Sequence, residues 1–339
     1  CYMRKTVLTL TAVLGSFIGF GAVQAQENAP AATFDARLSG YEYPLEVKSY
    51  DFSSQNKQLQ MAYMYLPAQE GMPTVTLLHG KNFNGAYWQT TADFLSDKGY
   101  GVLIPDQIGF GKSSKPKDYQ YSFADLAQNT IGLIDSLGIQ STIIVGHSMG
   151  GMLASRFSLL YPDSVSKLIL LNPIGLENYL HYTQYKDVEF FYENELKQSP
   201  DKIVEYQKKN YYDGAWNDQY AELVVPLVGV LQGPDWTDVA YVNALTYDMI
   251  LTQPVIQDFP NFEVPVSLII GTRDHTGPGR GWKRDGVEFE LGRYDLIGER
   301  IKAINPDIKV IELEGLGHLP QIEDFERFTA VFEPELHQD

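Results

Sequence analysis

The sequence predicts an α/β protein in which a mostly parallel sheet is covered by helices on both faces. Short, continuous apolar runs recur at 74–78, 101–104, 142–145, 165–171 and 264–270, and segments with helical spacing separate them. A strand that is apolar at every position has both faces covered, and strands alternating with helices favour parallel pairing. With 44% hydrophobic and 20% charged residues, the 339-residue chain has an ordinary globular composition, sized for one main domain with a sizeable insertion.

Taken in order, residues 1–25 read as a secretory signal. Arg4 and Lys5 precede an apolar stretch broken by Gly15, Ser16, Gly19 and Gly21, and Val23-Gln24-Ala25 places small residues where a cleavage after Ala25 needs them. The alternative, a transmembrane anchor, fits less well with these breaks and the polar flank. Met3 rather than Cys1 is the expected start. Residues 26–40 are polar and Ala/Pro-rich and predict a loose leader. Strand-like runs at 43–52 and 58–66 follow. Helical spacing covers 87–95, 122–137 and 149–161, and Ser122 with Asp125 resembles a capping pair.

The alternation stops between 173 and 263. This region holds ten of the 22 tyrosines, with Trp216 and Trp236, and reads as a mainly helical insertion. A helix at 294–304, a strand-like run at 308–313 and a final helix at 321–332 complete the pattern. The expected division is signal 1–25, leader 26–40, core 41–172, helical cap 173–263 and core 264–339.

Charge and cysteine content narrow the function. The formal net charge is -17, and loss of Arg4 and Lys5 with the signal takes it to -19. No basic footprint for nucleic acid is visible, and the acidic balance mildly disfavours anionic substrates and anionic membrane surfaces. Cys1 is the only cysteine, so the chain after signal removal can form neither a disulfide nor a thiol nucleophile. The localisation expected is periplasmic or secreted, without stable membrane insertion after cleavage. No metal cluster or dinucleotide fingerprint is present in the sequence, so no cofactor and no metal are inferred. The sequence leaves the oligomeric state open.

The strongest motif is Gly146-His147-Ser148-Met149-Gly150-Gly151, set between an apolar run and a helical segment. A G-x-S-x-G sequence there forces a sharp turn, lifts the serine hydroxyl to the top of the sheet, and aims free helix N–H groups at developing negative charge. Glycines are needed where side chains would clash with the neighbouring strand and helix.

With this motif in place, the chain resembles the α/β-hydrolase superfamily, over roughly residues 43–333. Its other motifs match at separate places. His79-Gly80-Lys81-Asn82 resembles the oxyanion loop after the third strand, and Asp106-Gln107-Ile108-Gly109-Phe110-Gly111-Lys112-Ser113 the loop after the fourth. Gly271-Thr272-Arg273-Asp274 resembles the acid loop and Gly315-Leu316-Gly317-His318 the histidine loop. The resemblance implies a mostly parallel eight-stranded sheet with a cap inserted after the sixth strand. The stretches Asn172-Pro173-Ile174-Gly175-Leu176-Glu177 and Thr246-Tyr247-Asp248-Met249-Ile250 resemble a group of exported bacterial hydrolases.

Ser148, a weak nucleophile by itself, needs a base, and the base needs an acid to fix its tautomer. His318, on a Gly-flanked loop before the last helix, is preferred to His275. Asp274, at the end of the 264–271 run, is preferred to Asp248 and Asp258, and the resemblance makes Asp106 structural. It also implies backbone oxyanion donors at Met149 and Lys81. Lys81 departs from the apolar residue many relatives carry, so Lys81 or Asn82 is a candidate substrate contact, against a plain solvated lysine. Asn82 and His147 are pocket candidates, although the resemblance also implies structural places for His79 and His147 within their motifs. Serine excludes the relatives that open epoxides or remove halogens with aspartate.

The expected activity is hydrolysis of a carboxylic ester, or related acyl bond, of an apolar or aromatic small molecule through an acyl-enzyme. Carbon–carbon bond hydrolysis and lactone or amide hydrolysis are the alternatives. A non-catalytic binding protein of the same fold is the remaining one.

Overall fold

The computed structural model describes residues 32–337, so the expected signal segment 1–25 lies outside the described residues. Eight strands form one sheet: β1 (Val47–Ser54), β2 (Lys57–Leu66), β3 (Thr74–Leu78), β4 (Gly101–Pro105), β5 (Thr142–His147), β6 (Val165–Leu171), β7 (Val266–Gly271) and β8 (Lys309–Leu313). Their spatial order is β1-β2-β4-β3-β5-β6-β7-β8. The pairs β1–β2 and β2–β4 are antiparallel and the other five are parallel.

Helices α1 (Gln89–Asp97), α2 (Phe123–Ser136) and α3 (Met149–Leu160) connect the first strands, and α9 (Tyr294–Ile304), α10 (Pro320–Glu323) and α11 (Phe325–Glu335) close the chain. The sequence of β5 explains why its run is apolar throughout. Ile144 packs into the cluster that contains Leu126 of α2, Leu153 of α3 and Ile297 of α9, whereas Ile143 and Val145 enter the opposite cluster with Leu95 of α1 and Phe328 of α11. Side chains alternate across a strand, so two helix layers demand hydrophobic residues at every position.

Between β6 and β7 lie α4 (Tyr179–Tyr182), α5 (Val188–Leu196), α6 (Pro200–Tyr211), α7 (Asp218–Leu231) and α8 (Trp236–Thr252). Among the described residues no helix is long and apolar enough to cross a membrane.

Three expectations need correction. The first strand begins at Val47 rather than near residue 43; Tyr43 instead points its hydroxyl to Asp106, at 2.6 Å. The final helix is broken at Asp324, whose backbone is extended (φ -148°, ψ 85°) and whose carboxylate caps the amide of Arg327 at 3.1 Å. That local cap outweighs helix continuation. Residues 32–40 are not a loose leader. Phe34 and Leu38 are buried beside Val230 and Val239, the Phe34 amide donates to the Gly229 carbonyl, and a side chain at Gly229 would strike the Phe34 ring.

The cap at Ser122 is half of the reciprocal pair. Its hydroxyl accepts from the Asp125 amide at 3.0 Å, but the Asp125 carboxylate accepts from Ser54 and Asn129 instead.

One buried charge fastens the end of the chain to the sheet. Glu335 of α11, only 2% exposed, accepts from Lys167 of β6 (3.0 Å), from Ser267 of β7 (2.6 Å) and from Lys309 of β8. Burial alone would raise its pKa, but these three donors hold it at about 2, below the ordinary 4.5. A carboxyl depressed on folding stabilises the fold above its unfolded pKa and loses that stabilisation as pH falls through the folded one. Glu335→Gln is therefore expected to lower unfolding free energy by about 1–3 kcal/mol at pH 7. The gap should close as pH falls from about 4.5 towards 2. Urea titrations at several pH values test this, and a gap independent of pH would refute it.

Candidate active site

The G-x-S-x-G segment joins β5 to α3 as a tight corner. Ser148 sits there with φ 56° and ψ -122°, a region non-glycine residues rarely adopt and that costs on the order of 1–3 kcal/mol. Neighbouring glycines make the corner possible. A Cβ on Gly146 would collide with the Gly150 carbonyl, and one on Gly150 with the Leu78 carbonyl of β3. The strained backbone is held by amides of Gly151 and Ile174, which both donate to the Ser148 carbonyl at 2.9 and 3.1 Å.

Three residues from distant loops meet above the strand ends. His318 Nε2 lies 3.0 Å from Ser148 Oγ, and His318 Nδ1 lies 2.6 Å from Asp274 Oδ2. A carboxylate can only accept, so Nδ1 carries the proton and Nε2 is left to accept from the serine hydroxyl. Both His318 and Asp274 are fully buried. Burial alone would raise the Asp274 pKa, but His318 opposite and hydrogen bonds from His318, Thr276 and Asn172 outweigh it and hold the carboxyl below its usual value. Asn172, at the end of β6, donates to Asp274 Oδ2 at 2.9 Å and accepts from the Gly271 amide at 2.8 Å, and the Thr276 amide donates to Oδ1 at 2.8 Å.

The rival residues lie elsewhere. His275 is exposed, Asp258 pairs with Arg156, and Asp248 is within α8. Asp106 organises its own loop by accepting from the Gly85 and Lys112 amides and the Tyr43 hydroxyl.

Met149 opens α3, so its amide is one of the first-turn donors without an intrahelical acceptor. Lys81 follows Gly80, where a Cβ would lie 3.0 Å from Ser148 Cβ. The two turns therefore touch at the serine. No turn or cap hydrogen bond engages either amide among the described residues.

His147 corrects a sequence expectation. It does not line the cavity beside Ser148; it is fully buried, with Nε2 2.8 Å from the His318 carbonyl and Nδ1 2.8 Å from the Tyr87 hydroxyl. The Gly80 amide donates to the same hydroxyl at 3.3 Å. Because the His318 carbonyl only accepts, the proton sits on Nε2, and Tyr87 donates to Nδ1. Burial, and then the nearby His318, push the His147 pKa down to about 3, so the ring stays neutral. This chain ties the loop after β3 to the loop carrying His318.

Asn82 does line the cavity, and its amide donates to the Tyr211 hydroxyl at 3.1 Å. Tyr211, from α6, stacks on the His318 ring at a centroid distance of 4.6 Å. The cavity has a volume of about 470 Å³ and runs from Ser148 to residues of α5–α8. Of the ten tyrosines in the insertion, Tyr206, Tyr211 and Tyr247 reach it, and polar side chains share its wall. The aromatic content of the insertion therefore serves mostly to pack it: Tyr212, for example, stacks on Tyr220.

Sequence reasoning missed Tyr87, Asn172, Thr276 and Tyr211 as supports of the site. Asn172 at a strand end, beside a motif, carried some signal, and Thr276 acts locally, its amide capping Asp274 two residues earlier; Tyr87 and Tyr211 carried none, because each meets its histidine across a long stretch of chain.

Fold and site together define the class. Residues 73–284, more than half of the chain, match the family described as alpha/beta hydrolase fold, and the chain belongs to it. A probable hydrolytic enzyme from Pseudomonas aeruginosa is 40% identical, with a TM-score of 0.88 over 91% of this chain and 99% of that one. A 2-hydroxymuconate semialdehyde hydrolase of Pseudomonas putida is 39% identical over 108 residues, 32% of this chain and 38% of the relative. Epoxide hydrolase A of Mycobacterium tuberculosis is 34% identical over 105 residues, 31% of this chain and 33% of the relative. The matches span about a third of the length of these curated relatives.

The His147 relay makes a prediction. Tyr87→Phe leaves the Gly80 amide and His147 Nδ1 unpaired in the interior, which should cost about 1–3 kcal/mol. Denaturant unfolding measures this, and a variant as stable as the parent would contradict the relay.

Proposed function

We propose that the chain is a serine hydrolase that cleaves a carboxylic ester through an acyl-enzyme. The observation that carries this reading is the hydrogen-bonded line Ser148–His318–Asp274, opening on a cavity. Ser148 Oγ attacks the ester carbonyl while His318 Nε2 takes its proton. The charge on the carbonyl oxygen falls to the amides of Met149 and Lys81, which work as preorganised donors in a site shielded from water. His318 then passes the proton to the departing alkoxide, leaving Ser148 acylated. Water, deprotonated by the same nitrogen, releases the acid. Asp274 stays ionised throughout, fixes the Nδ1–H tautomer and stabilises the imidazolium.

Relatives named as epoxide hydrolases do not extend to this chain's chemistry. Opening an epoxide with a serine oxygen would leave an ether, which has no carbonyl for water to attack. A carboxylate nucleophile would leave a cleavable ester. Ser148 is therefore suited to acyl transfer.

A second reading has one observation in its favour, the Pseudomonas putida relative named 2-hydroxymuconate semialdehyde hydrolase. Cleavage of a carbon–carbon bond next to a ketone would use the same three residues. Comparing turnover of a ring-fission product with that of simple esters separates the two readings.

The reading predicts that Ser148→Ala loses at least about 10³-fold in kcat on short p-nitrophenyl esters, and that Asp274→Asn loses a comparable factor with little change in KM. Initial-rate kinetics on purified variants decide it. A Ser148→Ala protein hydrolysing at the parental rate would end the proposal.

A further inference from the structure

The cavity beside Ser148 has a charge character opposite to that of the chain. The formal net charge is -17, yet three of the four charged side chains lining the cavity, Lys81, Lys202 and Arg280 against Glu195, are cationic. Two of the three are already engaged. The Lys202 ammonium donates to the Lys197 carbonyl at 2.6 Å, and the Arg280 guanidinium to His275 and Asn210 oxygens at 2.7 and 3.1 Å.

Lys81 differs from both. Its Nζ lies 5.8 Å from the centre of the Tyr247 ring, another cavity residue. Among the described residues its ammonium has no ion pair or hydrogen bond; Glu195 acts on it only at longer range. Lys81 is only partly exposed, and burial lowers the pKa of its ammonium, so a charge held there without an ion partner is costly.

A second, independent feature faces the same space. Gln207 of α6 is 1% exposed and lines the cavity. Neither its Oε1 nor its Nε2 has a hydrogen-bond partner. A buried amide with both ends unpartnered is rare in native proteins and needs an explanation. A ligand group can supply one.

We propose that the substrate carries a carboxylate, a short chain away from its scissile ester, held by the Lys81 ammonium and the Gln207 Nε2–H. Lys81 then contributes twice, its backbone amide facing the oxyanion and its side chain selecting the acid. The geometry favours this assignment because Lys81 directly follows Gly80, which abuts Ser148. The selected charge must therefore lie close to the reacting carbonyl, as in the half-ester of a short dicarboxylic acid. A neutral fatty ester would leave both groups unsatisfied. Gln207 Oε1 is free to accept from a substrate hydroxyl or from water.

This inference rests on the acyl-enzyme reading for the place of the ester, but its test does not depend on turnover. Calorimetric titration of Ser148→Ala with monoethyl glutarate and with ethyl pentanoate compares two acyl chains of the same length that differ in the terminal acid. The half-ester is expected to bind at least tenfold more tightly. Adding Lys81→Met should remove most of that preference, and Gln207→Leu part of it. Raising salt from about 0.05 to about 1 M should weaken the half-ester selectively. Equal binding of the two esters, absence of half-ester binding, or a preference untouched by both substitutions and by salt would overturn the inference. Turnover of either ester by the Ser148 protein is a separate result that bears on the acyl-enzyme reading alone.

Discussion

A fully buried carboxylate whose partners favour its ionised form is the constraint around which this molecule is arranged. Asp274 has no exposed surface, and an isolated charge there would take up a proton instead. It stays charged because donors converge on it from three places: the His318 ring, the Thr276 amide on its own loop, and Asn172 from the neighbouring strand end. Each donor is fixed by the sheet. β6 and β7 are parallel neighbours, so the turns that leave them emerge side by side. The same parallel order sets β5 beside β6, which brings Ser148 within reach of the histidine that Asp274 orients.

Holding three loops in register requires further supports, and these are buried polar groups rather than hydrophobic contacts. His147 binds the His318 carbonyl on one side and Tyr87 on the other, and Tyr87 in turn receives the Gly80 amide. The serine turn, the loop after β3 and the histidine loop thus share one chain of hydrogen bonds. Glu335 plays a corresponding part below, anchoring the helix that follows the histidine loop to β6, β7 and β8. The strained Ser148 backbone persists because its surroundings leave it no relaxed alternative: glycines on both sides admit backbone where side chains would collide.

Most of the core was legible in the sequence because both faces of its strands are covered. The residues Val75, Leu77, Leu78 and Ile143 to Val145 are apolar because alternating positions meet two separate helix layers, and such runs have few other interpretations. The serine corner was legible for a related reason: its glycines answer to local backbone geometry. Features decided by single polar residues, or by contacts distant in sequence, were not. Asp324 splits the last helix with one capping carboxylate. Phe34 turns a polar leader into a docked arm because Gly229 leaves room for its ring. His147 sits in a motif beside Ser148, yet its direction is set by Tyr87, sixty residues away. The expected substrate was an apolar or aromatic molecule, but many of the cap's aromatics pack against one another, and the cavity that Ser148 lines also includes Lys81 and Gln207.

Covalent trapping tests the central claim most directly. A fluorophosphonate reacts with a serine only where a base relieves its hydroxyl of the proton and donors receive the new oxyanion. Peptide mass mapping after treatment of the folded protein is predicted to place one phosphonyl group on Ser148, and to find none when His318 is replaced by alanine. Labelling at another residue, or equal labelling of Ser148 without His318, would contradict the account.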